Sequence, residues 1–437
     1  MRLSRSLVST LQEVPQILLA LPPRDLCTLQ ASCTQLRILV HAFATRLETK
    51  EDLDGRDPLA EVKLLVNGGW SHLQTLRLVK AGLDEQSLAV LSRGDWALLQ
   101  CLDLSCNNLD EAELVQFSQG RWSALRKLNL SQNRISSHAM ACVVSCDLPT
   151  LEAINISLNS IGACVPMLTV CRWPQLESLN LSRNQVDGAG LQQLVVGYWP
   201  LLTSLDLSSN SIPTSAVGAL RGANWPLLEK LDLQGCCHRG ADCMPGDDES
   251  QARLQAFEDL SQCWWRNLHY MNLTRCNLNH VCMHRLCQGQ WPKLCHLDLT
   301  ANCLADNSLE HLVDSQWLQL QHLKLTRCQV DTLGVSHLVR VKWPLLTSLG
   351  LSGNAIRAEA LDILFQGRWP LLTDIDLSNN DLGSGPVLRL ANGNHLPLKQ
   401  GRNVITPPAW LLTSWPRLNL MNLSYCAHGM DLFQFDI

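Results

Sequence analysis

The chain lacks the features that would direct it to a membrane or to nucleic acid. No apolar run in its 437 residues approaches the length that spans a bilayer. Its 35 lysines and arginines are interspersed with 40 aspartates and glutamates, which gives a net charge of −5. No strongly basic face therefore indicates nucleic-acid binding. We expect neither a membrane nor a nucleic acid as partner.

Patterns typical of enzymes are also missing. The 13 histidines are scattered, no glycine-rich loop that could hold a phosphate follows a strand, and no serine or cysteine stands in a recognisable nucleophile motif. The sequence predicts no enzyme, no cofactor and no catalytic residue.

Cysteine is abundant but does not form a pattern typical of disulfides. The 19 cysteines are an odd number, and Cys236, Cys276, Cys328 and Cys426 recur at equivalent positions of a repeat. Such residues act as small buried thiols, so we predict a reducing compartment, cytoplasmic or nuclear. The first apolar stretch is interrupted by polar residues and a proline between 12 and 16, which argues against a signal peptide.

One block of sequence recurs along most of the chain. Residues 199–210 read W-P-L-L-T-S-L-D-L-S-S-N, and almost every step between copies is 26 residues. The block ends on Asn or Cys at Asn107, Asn133, Asn159, Asn184, Asn210, Cys236, Cys276, Asn302, Cys328, Asn354, Asn380 and Cys426. The preceding Trp keeps the same period, and Pro follows that Trp seven times. A fixed period of this length indicates a solenoid of stacked repeats.

Each repeat predicts one strand and one short helix. Leu205 and Leu207 alternate with polar residues, which is the period of a strand with one buried face. The Asn that follows can bond the backbone of the turn. Segments such as 110–120 then carry apolar residues three or four apart, typical of a helix that a glycine closes. One repeat cannot bury its own leucines, so neighbours must stack.

The pattern L-x-x-L-x-L-x-x-N/C-x-L/I resembles leucine-rich repeats of the ribonuclease-inhibitor-like and cysteine-containing types. The resemblance implies an α/β fold: a right-handed horseshoe with a parallel concave sheet, convex helices and a small N-terminal helical segment. Trp stands where the cysteine-containing type has its first Cys. We predict an N-terminal segment at 1–55, the repeat array at 56–382 and degenerate repeats with a cap at 383–437.

The array is interrupted once. The step from Cys236 to Cys276 is 40 residues, which predicts an inserted loop around 237–263 with a solvated acidic tip at 247–249 that could also contact a partner. Cys236, Cys237, His238 and Cys243 could be considered as metal ligands, but their spacing matches no zinc pattern. We therefore predict no metal site.

The N-terminal segment is similar to an F-box. Residues 17–37 read I-L-L-A-L-P-P-R-D-L-C-T-L-Q-A-S-C-T-Q-L-R, although Leu36 replaces the usual aromatic residue. The resemblance implies binding to the adaptor of a cullin–RING ubiquitin ligase. The residues expected to bind that adaptor are Ile17, Leu18, Leu21, Pro22, Asp25, Leu26 and Leu29. The same helices could instead only cap the first repeat, because an exposed solenoid end needs a cover.

The outward strand positions predict where a protein target binds. Most repeats present Asp or Asn followed by Ser or Thr, but the repeats after the insertion differ. Their outward residues are Tyr270, Arg275, His296, His322, Lys324 and Arg327. Aromatic and arginine side chains are typical of binding hot spots, although these could also be solvated positions free to vary.

Two functions remain open from the sequence. The first is an F-box substrate receptor that binds its target on the concave face, with ubiquitin transfer done by other subunits. The second is a stand-alone scaffold or inhibitor with no link to a ligase. A secreted receptor ectodomain is a third possibility, which the expected free cysteines oppose.

Overall fold

The computed structural model describes residues 46–48, 57–67, 70, 72–171, 173–236, 247–383, 404–405 and 414–426. The chain divides into two units, Met1–Leu205 and Asp206–Ile437, and the division falls inside strand β7 (Ser204–Asp206). Both units repeat the same strand-then-helix element, so each is described by itself.

The first unit alternates short strands with short helices. Its strands are β1 (Arg46–Glu48), β2 (Thr75–Arg77), β3 (Cys101–Asp103), β4 (Lys127–Asn129), β5 (Ala153–Asn155) and β6 (Ser178–Asn180). Its helices are α1 (Pro58–Asn67), α2 (Glu85–Ser92), α3 (Glu111–Ser118), α4 (Ser137–Ser145), α5 (Val165–Leu168), which follows a 3₁₀ turn at Gly162–Cys164, and α6 (Gly188–Leu194). All consecutive strand pairs are parallel, with Leu76 opposite Leu102 and Leu102 opposite Leu128.

The second unit continues the alternation. Its strands are β8 (Lys230–Asp232), β9 (Tyr270–Asn272), β10 (His296–Asp298), β11 (His322–Lys324), β12 (Ser348–Gly350), β13 (Asp374–Asp376), β14 (Val404–Ile405) and β15 (Leu420–Asn422). Its helices are α7 (Asp247–Ser261), α8 (His280–Leu286), α9 (Thr332–Leu338) and α10 (Ala358–Leu364), with 3₁₀ helices at Thr214–Gly222 and Asp306–Asp314. Pairing is parallel from β8 to β13 and on to β15, and β14 pairs antiparallel to β15.

The predicted α/β repeat architecture is confirmed in both units. The middle residue of every strand from β2 to β13 is buried, while the first and third positions mostly keep some exposure. The helices begin at polar caps: Asp84, Asp110, Asp187, Asn279 and Asp331 each accept a backbone N–H of the first helical turn. The period of the sequence therefore locates both element types.

The stretch predicted as an inserted loop is partly helical. Helix α7 covers Asp247–Ser261, so the acidic residues 247–249 lie at a helix start, not at a loop tip. Ala256, Phe257 and Leu260 are buried, because their spacing places them on one face of this helix. Residues 237–246, which include most of the considered metal ligands, lie outside the described residues, as does most of 384–437.

Asparagine side chains join each turn to the preceding repeat. Asn107 donates from Nδ2 to the carbonyl of Leu104, three residues back, and to that of Leu78 in the repeat before. The same two bonds, 2.7–3.1 Å long, recur at Asn133, Asn159, Asn184, Asn302, Asn354 and Asn380. The Oδ1 atom accepts backbone N–H groups of the preceding repeat, as Asn302 does from Cys276 and Leu278. The Asn therefore satisfies buried backbone groups of two repeats.

At the same turn position, cysteine makes the donor bond of the Asn side chain but not its acceptor bonds. Cys328 donates from Sγ to the Leu299 carbonyl at 3.0 Å, which is the bond that Asn Nδ2 makes elsewhere. A thiol has no strong acceptor, so the N–H of Leu304 bonds the backbone carbonyl of Cys328 instead. Cys236, Cys276 and Cys426 donate to equivalent carbonyls. These cysteines are small buried thiols, as predicted, and each thiol also donates a hydrogen bond.

The tryptophans fill the corner between helix and strand. Trp122 is buried, and its Nε1 donates to the Phe117 carbonyl at the end of α3. The glycine two residues before the Trp lies under the indole ring: a Cβ there would be 2.5 or 2.6 Å from ring atoms at Gly94, Gly120, Gly197, Gly289 and Gly367. None of these glycines has a positive φ. Ring contact, not a left-handed helix cap, therefore requires glycine.

The Asn ladder leads to a test at Asn302. We expect Asn302→Ala to lower the free energy of unfolding by about 3 kcal/mol, because four buried bonds lose their partner. Asn302→Cys should lose roughly half as much, since the thiol keeps the donor, as in Cys328. Chemical denaturation measures both changes. The exposed Asn307→Ala is the control, expected within about 0.5 kcal/mol of the parent. Equal losses for the Ala and Cys variants would contradict the proposed role of the thiol.

Candidate functional site

The exposed face of the sheet, here called the strand face, carries the first and third strand residues. At the third position an Asp or Asn side chain accepts the backbone N–H two residues further on, at 2.9–3.1 Å. This occurs at Asp103, Asn129, Asn155, Asn180, Asp206, Asp232, Asn272, Asp298, Asp376 and Asn422. The bond closes the strand end locally. The Asp and Asn residues of this face are therefore explained by the fold.

Two consecutive strands of the second unit depart from that rule. The third residue is Lys324 in β11 and Gly350 in β12, and neither side chain can accept the N–H. Lys324 is exposed and lies 3.2 Å from Oδ2 of Asp298. Because the strand end does not require these residues, this part of the strand face is the best candidate for a functional surface.

The first positions of the same strands form an aromatic column. Tyr270, His296 and His322 lie in register on β9, β10 and β11. Their ring centroids are 5.3 Å apart for Tyr270 and His296, and 4.4 Å apart for His296 and His322. Burial, followed by the neighbouring His322 and Lys324, lowers the pKa of His296. That imidazole is therefore neutral at pH 7 and contributes an aromatic surface, not a charge.

A hydrogen-bond network lies beside this column. Asn272 donates to Oδ2 of Asp232 at 3.0 Å and to the side chain of Gln234 at 3.2 Å. The hydroxyl of Thr274 donates to Oδ1 of Asp298 at 3.0 Å. Burial raises the pKa of Asp232, and the bond from Asn272 opposes that rise. The network joins β8, β9 and β10 and holds the floor of the surface in place.

The two predicted arginines do not occupy strand positions. Arg275 and Arg327 follow β9 and β11 in the turns, at φ 56° and 54°, and both are exposed. The alternation of polar residues continues past a strand that is only three residues long, which explains the error. The structure still brings all six predicted residues to neighbouring repeats of the second unit: four on strands and two in turns.

Sequence reasoning missed an exposed tryptophan. Trp264 precedes the buried corner residue Trp265 and is 69% exposed, with the Arg266 guanidinium 4.5 Å from its ring centroid. It borders a groove of about 730 Å³ that glutamines such as Gln288 and Gln290 also line. The adjacent tryptophans Trp264 and Trp265 indicate this in the sequence, because only one of the two can fill the corner and the other must be exposed.

The remaining predicted sites lie partly outside the described residues. The seven expected adaptor-binding residues between 17 and 29 lie outside the described residues. Cys236 is a buried turn residue, and no cluster of three or more metal-binding side chains occurs where the chain is described. Across the same residues, no helix has both the length and the apolar composition to cross a membrane.

Comparison with known proteins agrees with the repeat geometry. The leucine-rich repeat family matches residues 174–195, a range that contains strand β6 and helix α6. The fold of the repeats is that of leucine-rich repeats. No curated protein matches the chain.

Several solved structures are similar to this chain. A leucine-rich repeat protein of Leptospira interrogans is 21% identical (TM-score 0.43), with 80% of this chain and 76% of that chain covered. An internalin of Listeria monocytogenes is 16% identical (TM-score 0.42), with coverage of 83% and 91%. TLR13 in its complex with ssRNA13 is 19% identical (TM-score 0.46), with coverage of 91% and 53%. This chain thus spans about half the length of TLR13. Resemblance at this level gives no information on what the chain binds.

Substitutions of Asn272, in the hydrogen-bond network, and of Lys324 should differ in their effect on the free energy of unfolding. Asn272 is 4% exposed, and we expect Asn272→Ala to cost about 2 kcal/mol because the half-buried Asp232 carboxylate loses a donor. Lys324→Met should cost less than about 1 kcal/mol, since its ion pair with Asp298 is exposed on the lysine side. Unfolding in denaturant measures both. A larger loss for Lys324→Met would assign the lysine a structural role.

Proposed function

We propose that this leucine-rich repeat protein binds a partner protein through the strand face of β9 to β12. The binding surface, here called the β9–β12 patch, consists of Tyr270, Arg275, His296, His322, Lys324 and Arg327. The observation that supports it best is the loss of the Asp or Asn strand-end residue at Lys324 and Gly350, because the fold alone does not explain that change.

The composition and packing of the patch also support binding. Its tyrosine and two arginines are residue types enriched in interface hot spots. The three rings of the aromatic column contact one another, so little side-chain freedom remains to be lost when a partner binds. The network of Asn272 and Thr274 holds the strands below them.

Site-specific photo-crosslinking tests this surface. A benzophenone amino acid at His322 should form adducts with a partner protein in cell extract, because the residue lies at the centre of the patch. The same amino acid at Leu333, which is 45% exposed on helix α9 of the same repeat, is the control and should not capture that partner. Capture of the same protein from both positions, or from neither, would refute the proposal.

We further propose that the chain is an F-box substrate receptor of a cullin–RING ligase. The support is the sequence of the N-terminal segment, with Leu21, Pro22, Leu26 and Leu29 as the apolar contacts to the adaptor. The β9–β12 patch would then select the target, and other subunits would transfer ubiquitin, so the chain itself is not an enzyme. A stand-alone scaffold or inhibitor is the alternative if the adaptor does not bind.

Free thiols in the described residues support a reducing compartment, the cytoplasm or the nucleus. Burial raises the pKa of Cys146 and Cys328 to about 12, so these thiols stay protonated at neutral pH. Protonated buried thiols resist oxidation, as expected of cysteines with a structural role.

Binding of purified adaptor and cullin to the full chain tests the receptor proposal. The double variant Leu26→Asp, Leu29→Asp should lose the adaptor, because carboxylates cannot enter an apolar interface without a large desolvation cost. The control Leu98→Asp changes a leucine that is 45% exposed in the repeat array and should bind as the parent does. If neither the parent nor the control binds the adaptor, the stand-alone alternative replaces the receptor.

A further inference from the structure

A row of turn positions crosses the β9–β12 patch at the ends of the strands. In five successive repeats this position carries Gly235, Arg275, Ala301, Arg327 and Gly353, all with φ between 54° and 68°. Their backbone N–H groups already bond carbonyls of the next repeat at 2.7–2.9 Å. Only the side chains remain available to a partner, and two arginines alternate with small residues.

The two arginines of this row, Arg275 and Arg327, have no acidic partner among the described residues. No carboxylate forms an ion pair with Arg275 or Arg327 in the described part of the chain. Beside Arg327, the third strand positions are Lys324 and Gly350, where most other repeats have Asp or Asn. Asp298 occupies the third position of the neighbouring strand β10. It already forms an ion pair with Lys324 and accepts a hydrogen bond from the Thr274 hydroxyl. Two guanidinium groups are therefore left for an acidic partner.

Gly353 determines the direction of Arg327. A Cβ on Gly353 would be 2.8 Å from Cγ of Arg327, so the arginine stem lies over that glycine, on the side of β12. Arg275 lies two strands away on the other side, at a backbone separation of about 10 Å. The stem of Arg327 thus leans away from the strand of Arg275, which favours two separate anionic groups over a single phosphate. The two guanidinium groups match two carboxylates three residues apart in an extended segment of polyproline II conformation, in which such residues share one face at a separation of roughly 9 Å.

We propose, on the basis of the proposed function, that the β9–β12 patch binds an extended acidic segment of its partner protein. The segment crosses the strand ends and places separate carboxylates on Arg275 and Arg327. Ala301 lies between the two arginines and leaves room for the backbone of the segment. The column of Tyr270, His296 and His322 lies at the opposite ends of the same strands, where it offers an apolar surface to further residues of the partner.

Fluorescence anisotropy with the full chain and a labelled glutamate peptide tests this inference. A peptide of about twelve residues is long enough to reach both arginines. We expect binding that weakens with salt, and a loss of affinity of about 10-fold or more in the double variant Arg275→Ala, Arg327→Ala. Alanine suits these turns, because Ala301 already occupies one of them at φ 58°. Unfolding curves of the variant verify that it is folded.

Arg183 supplies the matched control. It occupies the same turn position in the first unit, at φ 55°, and is exposed. Arg183→Ala removes one arginine charge, as each single variant Arg275→Ala or Arg327→Ala does, and should leave the affinity for the glutamate peptide within about two-fold of the parent. An equal loss for Arg183→Ala would show that binding follows net charge only and would overturn the proposal.

Two further peptides separate this inference from its competitors. A glycine-serine peptide with one phosphoserine should bind more weakly than the glutamate peptide. If the phosphoserine peptide binds more tightly, the patch recognises a single phosphate group and the inference is wrong. If the glutamate peptide does not bind but the benzophenone at His322 still captures a protein, the inference fails and the proposed function stands. If both experiments fail, the proposed function fails as well.

Discussion

The structure depends on how buried backbone groups in the turns find hydrogen-bond partners. Each described strand has only two or three residues, and the backbone bonds between repeats end at the turn, as in the bond from the Arg275 N–H to the Thr300 carbonyl. The Asn side chain continues them: Asn302 bonds the carbonyls of Leu273 and Leu299 and the N–H groups of Cys276 and Leu278. An unpaired buried amide costs about 1–3 kcal/mol, so this single side chain makes the stack possible. Leucine burial drives stacking, and the Asn sets its register.

This constraint separates structural from functional residues on the strand face. An Asp or Asn at the third strand position closes its own strand end, as Asp206 does through the N–H of Ser208. Its polarity therefore says little about binding. Lys324 and Gly350 have no such local role, and the rings of the aromatic column pack on each other without bonding a strand end. A residue of this face becomes informative where it departs from what the backbone requires.

The sequence period predicted the parts of the fold that repeat. Leu205 and its equivalents located the strands, and the tryptophans located the corners, because a feature with one physical cause returns every 26 residues. Features that occur once were harder. The bond between Asn272 and Asp232 joins residues 40 apart across the interrupted step, which no local pattern encodes. Helix α7 was taken for a loop because acidic residues dominate its start.

Errors of position had a different cause. A strand alternates inward and outward residues, and that alternation was extended to Arg275 and Arg327 although the strand ends earlier. A hydrophobic pattern does not indicate which residues adopt a left-handed turn conformation, because it records polarity and not the backbone angle φ. The glycines beside the tryptophans were similarly assigned to helix caps. Their cause is the contact with the indole ring, as at Gly120, which appears only when both residues are placed in three dimensions.

The position of Lys324 explains how the patch could meet an acidic segment at small cost. Its ion pair with Asp298 is exposed on the lysine side, and such pairs contribute about 0–1 kcal/mol. If Lys324 turned to a carboxylate of a partner, Asp298 would keep two donors, the Thr274 hydroxyl and the Thr300 N–H. The buried Asp298 carboxylate would lose its counter-charge but would remain hydrogen-bonded. The lysine can therefore exchange its internal carboxylate for an external one, while the buried network below it retains its bonds.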